Sequence, residues 1–217
     1  MKFSAVIWDL DGTLLDTSEG VLRSVSYTVK AISGPHLSSG QMEQFIGPPI
    51  KQSLMRFCGL DEKTAIRAVK VFRDRYSTVD LLRARVYPGV FSVLRALQRT
   101  GVKIGVATYK RADYALRLLQ ETGIAAYCHS VKGADFDNKK TKQDILVECL
   151  NELGVHDLSQ AVLIGDSEYD ASGAAQANVS FLAVTYGYGF KTVEDVMAFP
   201  HIGVVDTAIR LLDFLSE

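Results

Sequence analysis

Asp9 and Asp11 stand two residues apart, directly after the apolar run Phe3 to Trp8 and directly before Gly12-Thr13. Two carboxylates this close repel each other unless a shared proton or a cation stabilises them. A hard divalent cation with oxygen ligands, such as Mg2+, does so most simply. The chemistry that follows is a Mg2+ site with a carboxylate nucleophile. Aspartate and glycine are also common at strand-to-turn junctions for local hydrogen-bonding reasons, so the pair is weighed with what else reaches the same place.

Two further segments end in the same way. Val102 to Ala107 is short and β-branched and stops at Thr108-Tyr109-Lys110. Thr108 offers a hydroxyl and the amides that follow it, which suit an anionic oxygen, and Tyr109 and Lys110 are placed at the entrance of the site. Ala161 to Gly165 ends on Asp166, with Asp170 four residues later. Asp166 can share a metal with Asp9, and Asp170 can bind through water or orient the ligands. A non-metal cation is also needed, and lysines occur at 139, 140 and 142. Lys142, at the start of a helix before Asp144-Ile145-Leu146, is the first choice and Lys140 the second.

The elements that must position these residues alternate. Val90 to Leu97 is an amphipathic helix with Val90, Val93, Leu94 and Leu97 inward and Gly101 as its terminator. Helices follow at about 111–122 and 141–153, with a weak strand around 128–131 and another at 179–184. Strands alternating with helices at this spacing predict an α/β fold, a doubly wound parallel sheet with right-handed crossovers. All the reactive side chains then lie at the carboxyl edge, where such sheets bind ligands. From about residue 17 to 84 nothing reads as a strong strand. Helices are expected after Asp16 or Thr17, around Gln41 to Phe45, after the rigid Gly47-Pro48-Pro49 turn, and after Asp61, the last burying Ile66, Val69, Val71 and Phe72. The predicted organisation is an α/β core of residues 1–16 and 86–217 and a helical cap of residues 17–85 over the site, with hinges near 16–18 and 84–88.

The composition excludes several classes. A formal net charge of -1 with mixed signs gives no reason to expect nucleic acid or an anionic membrane as a partner. For most of the arginines from Arg67 to Arg85, interleaved with Asp74 and Asp80, a solvated helix face is the expected reading. No apolar run spans a bilayer, and the N-terminus does not have the layout of a secretory signal. Cys58, Cys128 and Cys149 have no metal-like spacing, and reduced thiols in a cytoplasmic protein, a monomer or weak homodimer, are expected. The histidines at 36, 129, 156 and 201 read as surface or packing residues.

The ordered set Asp-Leu-Asp-Gly-Thr at 9–13, Thr108, a lysine near 142, and Gly165-Asp166 with Asp170 resembles the haloacid dehalogenase-like hydrolase superfamily over nearly the whole chain. Gly47-Pro48-Pro49 and Val184 to Gly189 are similar to segments of its phosphoglycolate phosphatase-type group. Lys142-Gln143-Asp144 departs from that family's commoner Lys-Pro form. The resemblance implies a HAD-like core with a small helical cap and a Mg2+-dependent phosphatase acting on a small phosphorylated metabolite through an aspartyl phosphate. Asp9 would be the nucleophile and Asp11 the acid and base. Asp9, Asp166 and the Asp11 carbonyl would be metal ligands supported by Asp170, and Thr108 and Lys142 would bind phosphoryl oxygens. Thr13, Gly47 and Pro48 are further candidates for substrate contact, as Lys51, Gln52 and Arg56 are for the leaving group. A carboxyl group at position 11 implies phosphate ester chemistry. A β-phosphoglucomutase-type mutase is the alternative, and a 5'-nucleotidase a variant of the phosphatase reading. A non-catalytic binding protein would be expected to lack one of the four acids.

Overall fold

Ala5–Trp8 form strand β1, and all four residues are buried, as expected of a parallel strand covered by helices on both faces. The computed structural model describes residues 2–137 and 139–216. The chain divides into two compact units, Met1–Asp16 with Val86–Glu217, and Thr17–Arg85. Strand β2 (Leu15–Asp16) precedes the second unit, which is helical. It contains α1 (Ser18–Ala31), α2 (Ser39–Glu43), α3 (Ile50–Cys58) and α4 (Glu62–Arg75), and α4 runs on into a π-helical turn, Tyr76–Asp80. Ser38 and Asp61 accept backbone N–H groups at the starts of α2 and α4, which satisfies donors a helix leaves open.

One expectation fails in this unit. The buried face of α4 is Ala65, Ala68 and Phe72, whereas Ile66 is 55% exposed and Val69 and Val71 are half-buried. Small residues on the inner stripe let α4 lie close to α1 and α3, and close approach outweighs the burial of one larger side chain. Two of the arginines do more than cover a solvated face. Asp80 is fully buried, and its carboxylate accepts from Ser24 Oγ at 3.1 Å, Arg75 Nε at 2.8 Å and Arg83 Nε at 3.2 Å. Removing one partner of a buried charge network leaves the others uncompensated. Because the Arg75 and Arg83 side chains are 32% and 42% exposed, water recovers part of that loss. Asp80→Ala is therefore expected to destabilise the protein by about 2–3 kcal/mol in urea unfolding. An unchanged midpoint would show that the network contributes nothing net.

The first unit resumes with β3 (Arg85–Val86), which pairs with β2 in a separate two-stranded sheet. Then follow α5 (Val90–Arg99), β4 (Lys103–Arg111), α6 (Ala112–Glu121), β5 (Ser130–Ala134), α7 (Lys142–Glu152), β6 (Ala161–Gly165), α8 (Glu168–Gln176), β7 (Ser180–Val184), α9 (Val193–Val196), β8 (Gly203–Val205) and α10 (Leu211–Leu215). Six strands form one sheet in the order β5-β4-β1-β6-β7-β8, and every pairing is parallel. The apolar side of α7 packs Ile145, Leu146, Cys149 and Leu150 into a cluster with Ile7, Ala107 and Leu163. Edge strand β8 is not foreseen in the sequence, because three residues are too few to show a period. Among the described residues no helix is long and apolar enough to cross a membrane.

Candidate active site

The register of the sheet sets the site. Trp8 lies level with Val106 on one side and Ile164 on the other, so Asp9, Thr108 and Asp166 emerge at one edge, one or two residues beyond that row. The Asp9 amide still donates to Ile164 O at 2.8 Å, which holds its backbone in strand form. From β1 the strand order proceeds to β4 and β5 on one side and to β6 on the other. The cluster therefore occupies a switch point of the topology, where crossovers diverge and leave a crevice.

Asp9, Asp166 and Asp170 are all buried, and each offers a carboxylate oxygen within 4.8 Å of the others'. Lys142 joins them, with Nζ 2.6 Å from Asp9 Oδ1 and 2.5 Å from Asp170 Oδ1. Burial raises the Asp9 carboxyl well above its usual range; Lys142 opposes this, and Asp170 and Asp166 reinforce it. Burial and the neighbouring Asp170 push Asp166 up to about 7 against the pull of the Gly189 and Tyr188 amides and of Lys142. For Lys142 burial acts downward, but Asp170 and Asp9 outweigh it and hold the ammonium above its ordinary value. One ammonium thus faces three carboxylates, and the excess is two negative charges when all are ionised.

Each member is held from behind. Asp170 is the third residue of α8, and its Oδ2 accepts from Ser167 N and Ser167 Oγ, at 3.1 and 2.6 Å. Ser167 Oγ in turn accepts from the Asp170 amide, completing a capping box. Gly173 leaves room for the Lys142 stem, since a Cβ there would come 2.6 Å from Lys142 Cγ. Asp166 Oδ2 accepts the Tyr188 and Gly189 amides at 2.6 and 3.1 Å. This loop comes close because Gly12 and Gly187 have no side chain; a Cβ on either would sit 2.2 or 2.3 Å from Asp166 Oδ2. The Tyr188 hydroxyl meets Asp16 Oδ1 at 2.5 Å. Sequence reasoning assigned Tyr188 and Gly189 no role. The available signal was the Gly-Tyr-Gly spacing after a strand, which marks close backbone approach.

Asp11 lies apart from the three-carboxylate cluster. Both its oxygens accept from Lys110 Nζ, at 3.0 and 2.9 Å, with the two side chains 14% and 6% exposed. Lys110 sits where β4 slips against β5. Thr108 pairs with Gly133 and Arg111 with Ala134, so Tyr109 and Lys110 are extra residues in a bulge. The Lys110 amide donates to Thr108 Oγ1 at 3.1 Å, and the Lys142 amide donates to the Tyr109 hydroxyl at 2.8 Å. Thr13 is fully buried; its carbonyl accepts from the Tyr186 hydroxyl at 2.9 Å, and its own hydroxyl has no hydrogen-bond partner among the described residues.

The remaining candidates lie elsewhere. Lys140 pairs with Glu148 at 2.7 Å and Lys139 with Asp137 at 3.3 Å, so of the two lysines left open it is Lys142 that enters the cluster. Gly47, with φ +97°, and Pro48 precede α3 in the helical unit, and Lys51, Gln52 and Arg56 lie on that helix. His129 Nδ1 accepts the Ile104 amide, a structural bond. Burial pushes the Cys128 and Cys149 thiols up to about 12 and about 11, which removes them as nucleophiles.

Comparison with known proteins accords with this geometry. The chain is 30% identical to a 5'-nucleotidase of Pseudomonas aeruginosa over 87% of its own length and 86% of that protein's. It is 28% identical to a phosphoglycolate phosphatase of Vibrio vulnificus over 98% and 96%. The crystal structure of a predicted phosphatase from Clostridium acetobutylicum superposes with a TM-score of 0.90 at 30% identity, covering 99% of this chain and 98% of that one. Residues 6–184 match the family described as haloacid dehalogenase-like hydrolase, and the chain belongs to that family.

Proposed function

We propose that the protein is a Mg2+-dependent phosphomonoesterase that hydrolyses a small phosphorylated metabolite through an aspartyl phosphate on Asp9. The observation that carries this reading is the Asp9, Asp166 and Asp170 cluster around Lys142, with a fourth carboxylate, Asp11, held separately two residues after Asp9. The donor set fits a hard cation, being all oxygen and buried, and its excess of two negative charges matches a divalent ion. Asp9, Asp166 and the Asp11 carbonyl would hold Mg2+, with Asp170 behind them. Bound there, the ion supplies the positive charge that lets an anionic nucleophile meet an anionic phosphoryl group.

The protein's own groups carry the steps. An Asp9 oxygen forms a bond to phosphorus while the ester P–O bond breaks, and its electron pair leaves with the alcohol oxygen, which takes a proton from Asp11. Water then attacks the aspartyl phosphate and gives its proton to Asp11, and the bond from phosphorus to Asp9 breaks, releasing inorganic phosphate and restoring Asp9 as a carboxylate and Asp11 as the acid. Thr108 and Lys142 donate to the phosphoryl oxygens as charge redistributes. Tyr109 and Thr13 are assigned to substrate contact.

The relatives named for 5'-nucleotidase and phosphoglycolate phosphatase activity support a phosphate monoester as substrate and leave a nucleotide and a small organic acid as the first esters to try. The test is phosphate release from a panel of nucleoside monophosphates, sugar phosphates, phosphoglycolate and an aryl phosphate, with and without Mg2+. Release that requires Mg2+ is expected for at least one of them. No Mg2+-dependent release from any ester would overturn the reading.

A further inference from the structure

Lys110, like Lys142, keeps its ammonium out of water at this edge of the sheet. A lysine at the mouth of an anion site ordinarily reaches outward, with its ammonium in water. Here the side chain is 6% exposed and turned onto a carboxylate of the same site, with Nζ within 3.0 Å of both Asp11 oxygens. The backbone that aims it is itself irregular. Two extra residues, Tyr109 and Lys110, are inserted between the Thr108–Gly133 and Arg111–Ala134 pairs, and bulges beside sites re-aim side chains in this way. The bulge is seated on Gly133, where a Cβ would lie 2.5 Å from Lys110 O and 2.6 Å from Ala112 Cα. Any larger residue at 133 must move the bulge.

The same residue also acts on Thr108. Its amide occupies an acceptor position of Thr108 Oγ1, which leaves the hydroxyl hydrogen to donate elsewhere. One residue therefore orients two groups through different atoms, Asp11 through Nζ and Thr108 through N.

Resting on the phosphatase reading above, we infer that Lys110 is a positioning residue that parks the Asp11 side chain between turnovers and delivers it to the leaving oxygen. An arriving monoester with one proton on its phosphoryl group takes over part of the ammonium's bonding and passes that proton to Asp11, which is released as the acid from a defined rotamer close to the bond that breaks and returns the proton with the departing phosphate. Without Nζ, Asp11 would lose the contact that holds both its oxygens, and proton delivery would lose its alignment. The Thr108 hydroxyl would keep its orientation, because that bond comes from the backbone.

The consequence depends on the leaving group. An alkoxide needs a proton as it departs, whereas 4-nitrophenolate leaves readily without one. The experiment compares kcat/KM for the best alkyl ester of the panel and for 4-nitrophenyl phosphate in wild type, Lys110→Met, Lys110→Arg and Gly133→Ala, with thermal melts to confirm folding. Lys110→Met is expected to lose roughly 100-fold on the alkyl ester and less than roughly tenfold on the aryl ester. Lys110→Arg, which restores donors for the carboxylate, is expected to recover at least about tenfold of the alkyl loss. Gly133→Ala, which keeps the ammonium but displaces the bulge, is expected to show the same preference in weaker form. Equal losses on the two esters, a rise in KM with kcat unchanged, or no loss at all would overturn the inference. If Lys110→Met does not fold, the arginine and Gly133 variants decide by the same comparison. A wild type inactive on every ester sinks the phosphatase reading and this inference with it. An active wild type with even losses sinks this inference alone.

Discussion

Asp9→Asn is expected to lower turnover of any substrate ester by roughly 10^4-fold or more, the scale seen when a covalent nucleophile is removed and only binding and electrostatic terms remain. Folding should survive. The Asp9 side chain is buried next to Asp166 and Asp170, and burial already holds its carboxyl well above the usual range, so a neutral amide of the same size relieves repulsion. Lys142 keeps Asp170 as a partner at 2.5 Å. The expected result is an inactive protein with an unchanged or slightly raised melting temperature. Turnover within tenfold of wild type would remove Asp9 from the role of nucleophile, and inactivity accompanied by unfolding would leave its chemical role without support.

Lys142→Met is expected to be costly in a different way. The lysine is 2% exposed and is the ammonium bonded to Asp9 and Asp170; without it three carboxylates share a buried space with no bonded cation. Breaking a buried ion pair by removing one partner costs about 3–5 kcal/mol, and here two pairs are broken at once. Turnover is expected to fall roughly 10^3-fold as well, from the loss of a donor to the phosphoryl oxygens. The discriminating measurement is the melting temperature with and without Mg2+. If the cluster binds the ion, added Mg2+ should raise the midpoint of Lys142→Met, by mass action on the folded state. A midpoint in the variant that does not respond to Mg2+ would argue that Asp9 and Asp166 do not hold the ion.

Much of this arrangement is visible in the sequence because parallel strands are buried on both faces and end where solvent and chemistry begin. Val6-Ile7-Trp8 before Asp9, Val106-Ala107 before Thr108, and Leu163-Ile164-Gly165 before Asp166 each carry that transition within a few residues. Such local contrasts survive folding unchanged. What escapes reading is long-range pairing. Lys110 and Asp11 are 99 positions apart, Tyr188 and Asp166 22 apart, and Ser24 and Asp80 56 apart. Charge type alone does not say which lysine turns inward or which aspartate is enclosed by arginines. Helix rotation is a further blind spot. Side-chain size favours Ile66 as a core residue, whereas α4 turns Ala65 and Ala68 inward, because neighbouring helices reward a close fit.

Asp170 divides its two oxygens between unlike tasks. Oδ2 begins a helix with Ser167, and Oδ1 meets Lys142. The rotamer entropy of both side chains, up to about 2 kcal/mol for a lysine, is therefore lost during folding and not again at each turnover. The arrangement also shapes what any mutational experiment at this position can mean. An alanine at 170 would fray the start of α8 and strip a counter-charge from Lys142 together, and its activity loss would mix two free energies of different origin. Asparagine separates them, since it can keep an acceptor for the Ser167 amide while giving up the charge.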